Sequence, residues 1–224
     1  MPLYNGQLLN VSYDETKRYA GIKSKDHFPE SSIQNALLEA QLLAKPQGVY
    51  EIYSYNELNQ LIQSTPPLHL LGSSITKHLA NCSYAAIIAV TIGEQVETTI
   101  TNHFSTGNYT AGLLLDAAAT ATVESIADQV NHLIDSLAAK EGYATTWRFS
   151  PGYGNWNITI QRDLLTALHA EAIGLTATES FMLQPRKSIT AAIGLRSKER
   201  CQNVMPQPPC ATCAQKNCLA RKEI

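Results

Sequence analysis

Apolar positions recur along this chain with two different periods, one helical and one strand-like. In residues 31–44, Ile33, Leu37, Leu38 and Leu42 fall at helical spacing, and Ser31 or Ser32 is placed to cap the helix. Residues 14–20 predict a shorter helix. Residues 110–140 predict the longest one. There Val123, Ile126, Val130, Leu133, Ile134 and Leu137 share one stripe, while Glu124, Asp128, Asn131 and Asp135 fall largely on the other face. Gly142 is a natural stop for it. Further helices are predicted over 55–63, ended by Pro66-Pro67, over 94–104, ended by Gly107-Asn108, and over 160–173.

The strand-like signal is strongest at 84–92, YAAIIAVTI. It is nearly continuously apolar and partly β-branched, and it stops at Gly93, which predicts a strand buried on both faces. Shorter strands are predicted over 49–53, 145–149, 178–183 and 188–195. Helices and strands interleave without clean alternation, and the last two strands are close in sequence. That order predicts an α+β fold, a single domain with an antiparallel or mixed central sheet and flanking helices. Beyond Ser197 the composition turns polar and rich in proline and cysteine. The expected division is a domain over 1–197 and a short Cys-rich C-terminal tail over 198–224.

Composition narrows the function classes. With 224 residues, 44% of them apolar, the chain is long enough and apolar enough to bury a core and is unlike a disordered chain. A formal charge of -2 provides no broad basic field, so no nucleic-acid partner is expected. The N-terminus has no basic segment leading into an apolar one, and the longest apolar run is too short to span a bilayer. The expected location is therefore cytoplasmic, with no membrane partner and with the five cysteines reduced or metal-bound.

Candidate chemistry concentrates at Arg148-Phe149-Ser150-Pro151-Gly152-Tyr153-Gly154. A strand end carrying a guanidinium runs into a turn with two glycines, where backbone can approach a ligand closely. Arg148 can grip a carboxylate with a bidentate fork, and Tyr153 offers an aromatic face and a hydroxyl. Taken alone, the same residues describe an ordinary turn with a surface arginine. The dinucleotide fingerprint G-x-G-x-x-G is absent from the loop, and the six histidines form no HxxxH or HExxH arrangement.

From Arg148 to Leu195 the chain resembles the activation domain of cobalamin-dependent methionine synthase. That family has an arginine followed by a Pro-Gly-Tyr turn, a helix, a Leu-Thr-Glu-Ser segment, a proline and a final strand. Here these are Arg148, Pro151-Gly152-Tyr153, residues 161–173, LTATESF over 175–181, Pro185, and Ser188-Ile189-Thr190. A weaker likeness runs back through Leu115-Asp116-Ala117 and Glu124. The chain departs from the family after the turn, where it has Gly154-Asn155-Trp156. The resemblance implies a freestanding reactivation subunit. Such a protein binds S-adenosylmethionine and docks over a partner's corrin ring, where cobalt that has lapsed to Co(II) is reduced by one electron and remethylated.

The resemblance also implies roles. Arg148 would pair with the methionyl carboxylate, with Pro151, Gly152, Tyr153 and Gly154 forming the cofactor-binding turn. Glu124 would face the ligand's cationic part, the alternative being a solvated helix carboxylate. Tyr153 would sit at the corrin face or the sulfonium, as the residue nearest the chemistry, the alternative being a packed turn tyrosine. Glu179 and Ser180 read as buried hydrogen-bonding groups of the fold. No Asp-x-His-x-x-Gly corrinoid signature is present and the chain is too short for folate and homocysteine modules, so cobalamin is expected to arrive on the partner. That partner would be a corrinoid methyltransferase, such as a methionine synthase lacking its own activation domain, served by an electron donor. Two other classes stay open: a docking module that grips a corrinoid protein without turnover, and an electron-transfer adaptor whose working end is the tail.

The tail carries Cys201, Cys210, Cys213 and Cys218, spaced C-x8-C-x2-C-x4-C. Four thiolates satisfy zinc or an iron–sulfur cluster, and the irregular spacing suits a cluster slightly better. The alternative is a reduced, extended tail kept open by Pro206, Pro208 and Pro209. Cys82 reads as core, and Lys216, Arg221 and Lys222 as a solvated basic end.

Overall fold

A computed structural model of the chain describes residues 2–6, 10–23 and 26–200. Its strands are β1 (Leu3–Asn5), β2 (Gln47–Asn56), β3 (Leu61–Ile62), β4 (Leu68–His69), β5 (Tyr84–Thr91), β6 (Tyr143–Thr145), β7 (Thr176–Ala177), β8 (Leu183–Gln184) and β9 (Ser188–Ser197). Its helices are α1 (Tyr13–Tyr19), α2 (Glu30–Leu43), α3 (Ser73–His78), α4 (Gln95–Ser105), α5 (Tyr109–Lys140) and α6 (Gln161–Ala167). Seven strands form one antiparallel sheet in the order β4-β3-β2-β5-β9-β6, with β1 on the same edge of β2 as β3. β7 and β8 form a separate small hairpin. The α+β expectation, with an antiparallel sheet and flanking helices, is what the chain adopts.

β5 lies at the centre, between β2 and β9, and its two faces serve two cores. Ala86, Ile88 and Val90 face a layer built from α1, α2, α4 and α5. Ala85, Ile87 and Ala89 face a second layer containing Ile75 of α3, Trp156, and Leu164 and Leu165 of α6. Strand alternation sends neighbouring residues to opposite faces, and here both faces are dry. This accounts for the nearly continuous apolar run. α5 packs close to the sheet over Gly48, where a Cβ would stand 3.1 Å from Val90 Cγ1 and 3.4 Å from Val130 Cγ2.

Several elements differ from the sequence expectation. Residues 55–63 are the end of β2, a turn and β3 rather than a helix. The Asn56 side chain accepts the Asn59 N–H at 3.1 Å, closing the turn, and Gln60, at φ +52°, stops a helix and sends the chain into β3. Residues 178–182 are a tight turn and not strand: Thr178 N–H donates to Met182 O at 2.9 Å, and Phe181 has φ +64°. The helix expected over 160–173 is broken at His169, which has φ +45°, and resumes as a 3₁₀ turn. At α2 the cap position is Pro29, and no side chain caps the helix; Leu38 and Leu42 are exposed, while Ala36 and Ala40 join Ile33 and Leu37 inside. The strand expected at 145–149 is β6 followed by a single bridge, Phe149 to Ala192. No helix among the described residues is long and apolar enough to cross a membrane.

Candidate functional site

The bridge at Phe149 orients Arg148. Phe149 N–H donates to Ala192 O at 3.0 Å and Ala192 N–H donates back at 2.9 Å, which pins this segment to the outer edge of β9. Alternation then sends the two side chains apart. Phe149 packs into the layer of Trp156, its ring centroid 6.0 Å from that indole. Arg148 turns to α5 on the other side, and its side chain is 18% exposed. Its Nη2 donates to Glu124 Oε2 at 3.0 Å and its Nη1 to Asp128 Oδ1 at 2.6 Å. Glu124 and Asp128 are four residues apart and so share one helical face. The Tyr19 hydroxyl of α1 is held above its ordinary pKa, first by burial and then by the nearby Glu124 charge. The Arg18 guanidinium lies 4.0 Å from the Tyr19 ring centre.

The turn that follows is braced from within. Pro151 is buried, and Gly152 and Gly154 have φ +90° and +57°. Gly152 N–H donates to Trp156 O at 2.8 Å, and Tyr153 N–H to Ser150 O at 3.2 Å. A Cβ on Gly154 would collide with the Ser74 hydroxyl and come within 2.8 Å of Ser74 Cβ, so this position has neither the dihedral nor the room for a side chain. Asn155 ties the turn to the start of α3: its Nδ2 donates to Ser73 Oγ, and Ser74 N–H donates to its Oδ1, each at 2.8 Å. The residues by which the chain departs from the family motif are therefore those that anchor the loop, with Trp156 fully buried beneath it. Tyr153 is left 67% exposed at the tip.

Behind the loop lies a buried histidine. His78 stacks on Phe149 at 5.0 Å and meets Trp147 edge-on at 4.9 Å. Its Nε2 is 2.9 Å from the Thr146 hydroxyl, which also accepts the Gly194 N–H at 2.8 Å. Burial pushes the imidazole pKa down to about 4, so it is neutral at pH 7. It supports the loop and, as a neutral ring, is not a general acid at that pH.

A second cation lies further along α5. Lys187 Nζ pairs with Asp116 Oδ1 at 2.8 Å and donates to Thr120 Oγ1 at 2.8 Å, while Lys187 N–H donates to Glu97 Oε1 at 2.7 Å. Asp116, Thr120, Glu124 and Asp128 thus form one stripe, each a turn beyond the last, faced by Lys187 at one end and Arg148 at the other. The family resemblance points to Glu124 and Arg148 as site residues but to neither Asp128 nor Lys187. Four-residue spacing on a helix was the available signal for Asp128. Lys187 had none, because nothing local ties it to α5.

Other candidates are placed as follows. Glu179 and Ser180 are exposed, not buried; the Ser180 hydroxyl meets Thr178 Oγ1, at 3.0 Å, within the turn. Cys82 is buried in the second core, as expected. Cys201, Cys210, Cys213 and Cys218, and with them Lys216, Arg221 and Lys222, lie outside the described residues. Among the described residues no three His, Cys, Asp or Glu side chains gather as a metal site. An open cavity of about 410 Å³ lies away from Arg148, between α2 and the α4–α5 turn, lined by Asn35, Glu39, Asn108 and Tyr109 among others.

No protein-family model matches this chain, and no curated protein matches it. A crystal structure of the MetH reactivation domain bound to AdoHcy does, covering 92% of this chain and 81% of its own, with a TM-score of 0.59 and 13% sequence identity. The chain shares the fold of that reactivation domain. At this identity the likeness is one of backbone architecture, and it spans both helical layers and the sheet, not only the 148–195 segment that carries the motif.

Proposed function

We propose that this chain binds S-adenosylmethionine beside Arg148 and acts as a reactivation subunit for a corrinoid methyltransferase, most simply a methionine synthase. The observation that carries the reading is the fold shared, over nearly the whole chain, with a reactivation domain whose crystal structure holds AdoHcy. The donor set around Arg148 fits such a ligand in kind. A guanidinium suits the methionyl carboxylate, and the Glu124 carboxylate suits the ligand's ammonium or sulfonium. Bound S-adenosylmethionine would supply an electrophilic methyl group on sulfur. The chain's own task is to orient that group and keep it facing the partner, which is catalysis by positioning. Exposed Tyr153 is the side chain of this loop best placed to meet a partner's corrin face. Cobalamin and the reducing electron come from outside the chain. The four tail cysteines are proposed to hold an iron–sulfur cluster or zinc.

Calorimetry tests the first step. The purified protein is expected to bind S-adenosylmethionine, and Arg148→Ala to raise the dissociation constant roughly ten- to hundredfold, the loss of a charge-assisted pair. No heat and no thermal shift at millimolar ligand would sink the proposal. A docking module without turnover is the second reading. It draws on the guanidinium of Arg148 being engaged already by two carboxylates, and it predicts partner binding that is indifferent to S-adenosylmethionine.

A further inference from the structure

We infer that Asp128 is a built-in competitor for the ligand carboxylate: it holds Arg148 ready in the empty site and lets go when a carboxylate-bearing ligand binds. This rests on the S-adenosylmethionine reading above. A guanidinium grips one carboxylate best through two parallel N–H bonds. In this structure the Nη1/Nη2 edge of Arg148 is divided between two different carboxylates, Asp128 on Nη1 and Glu124 on Nη2. A ligand carboxylate therefore gains a two-pronged hold on that edge only if one of them withdraws.

The surroundings select Asp128. Its side chain is 57% exposed, against 40% for Glu124, so water can take over its oxygens at little cost. Glu124 is near enough to α1 for its charge to be felt by the partly buried Tyr19 hydroxyl. Glu124 is thus the partner that stays, available to the cationic part of the ligand. Asp128, one turn further along α5, is the one replaced. The arrangement keeps a side chain that is only 18% exposed neutralised and extended while the site is empty. It also makes affinity depend on whether a ligand has a carboxylate.

Asp128→Asn in the full-length protein tests this by calorimetry with two ligands. AdoHcy has the amino-acid carboxylate; 5′-methylthioadenosine has the same nucleoside and a thioether but no amino acid. The expected result is AdoHcy binding about two- to fivefold tighter in the variant, the size of an exposed ion pair. Methylthioadenosine binding should be unchanged, and the AdoHcy gain should vanish when Asp128→Asn is placed on Arg148→Ala. Unchanged or weaker AdoHcy binding would overturn the inference, as would an equal gain for both ligands or a gain that survives loss of Arg148. If wild type binds no AdoHcy at all, the functional proposal itself has failed and this inference fails with it.

Discussion

His78 shows what one buried side chain does to the behaviour of the whole protein. Its folded pKa, about 4, lies below the ordinary value of 6.5 because a charged imidazole between Trp147 and Phe149 would lose its water. The unfolded chain therefore binds more protons than the native one between these two values. Stability is unaffected above pH 6.5, falls as pH drops through the window, and reaches its full loss below pH 4. Between pH 7 and pH 5 the loss should be about 2 kcal/mol, read from urea unfolding at each pH. His78→Gln should flatten that slope while lowering stability at pH 7. A slope that persists in the variant would assign it to other groups. Arg148 and Gly154 make the same point for geometry: both were visible in the sequence, but their roles follow from Asp128 and Ser74, which are distant in the chain.

Among the elements, α2 separates pattern from burial. Ile33, Leu37, Leu38 and Leu42 all fit a helical stripe, yet only the first two reach the core, and Ala36 and Ala40 complete the buried face. Small residues there let α2 sit against α5, and the larger leucines point to solvent. Ile33→Ala is therefore expected to cost about 2–5 kcal/mol, as deletion of fully buried methyl groups does. Leu42→Ala, at a position 85% exposed, should stay within about 0.5 kcal/mol. Chemical denaturation of both variants checks the contrast, and a comparable loss at Leu42 would mean that this face is covered in solution. β5 and α5 were legible because one signal dominated each: nearly continuous apolarity in the first, a long apolar stripe in the second. The turn at 178–182 and the break at His169 were not, because side-chain hydrogen bonds and left-handed backbone leave little trace in hydrophobic period.

At the scale of the whole molecule, the last strand meets the first half of the fold. β9 pairs with β5 along its length and with β6 at its far end, and Lys198 N–H then donates to Gly142 O at 3.0 Å. Residues 201–224 follow that contact in the chain, and both cores, as built by the described residues, are assembled from residues that precede it. Truncation after Arg200 is expected to leave Tm within about 2 °C of wild type and to preserve S-adenosylmethionine binding. It should also abolish the iron or zinc that elemental analysis finds after anaerobic purification. Unfolding of the truncated chain would put the tail inside the domain, and full-length protein free of both metals would remove the tail thiols as a metal site. What the sequence determined by itself is local or periodic: the buried strand at β5, the long amphipathic α5, the α+β class, the Arg148 turn and its likeness to a reactivation domain. Only the tertiary structure decided that β9 lies beside β5, that Asn155 and Trp156 anchor the turn, and that Arg148 and Lys187 share one acidic stripe. Those contacts join residues 20 to more than 100 positions apart, and periodicity and turn chemistry report only on neighbours within a turn or two.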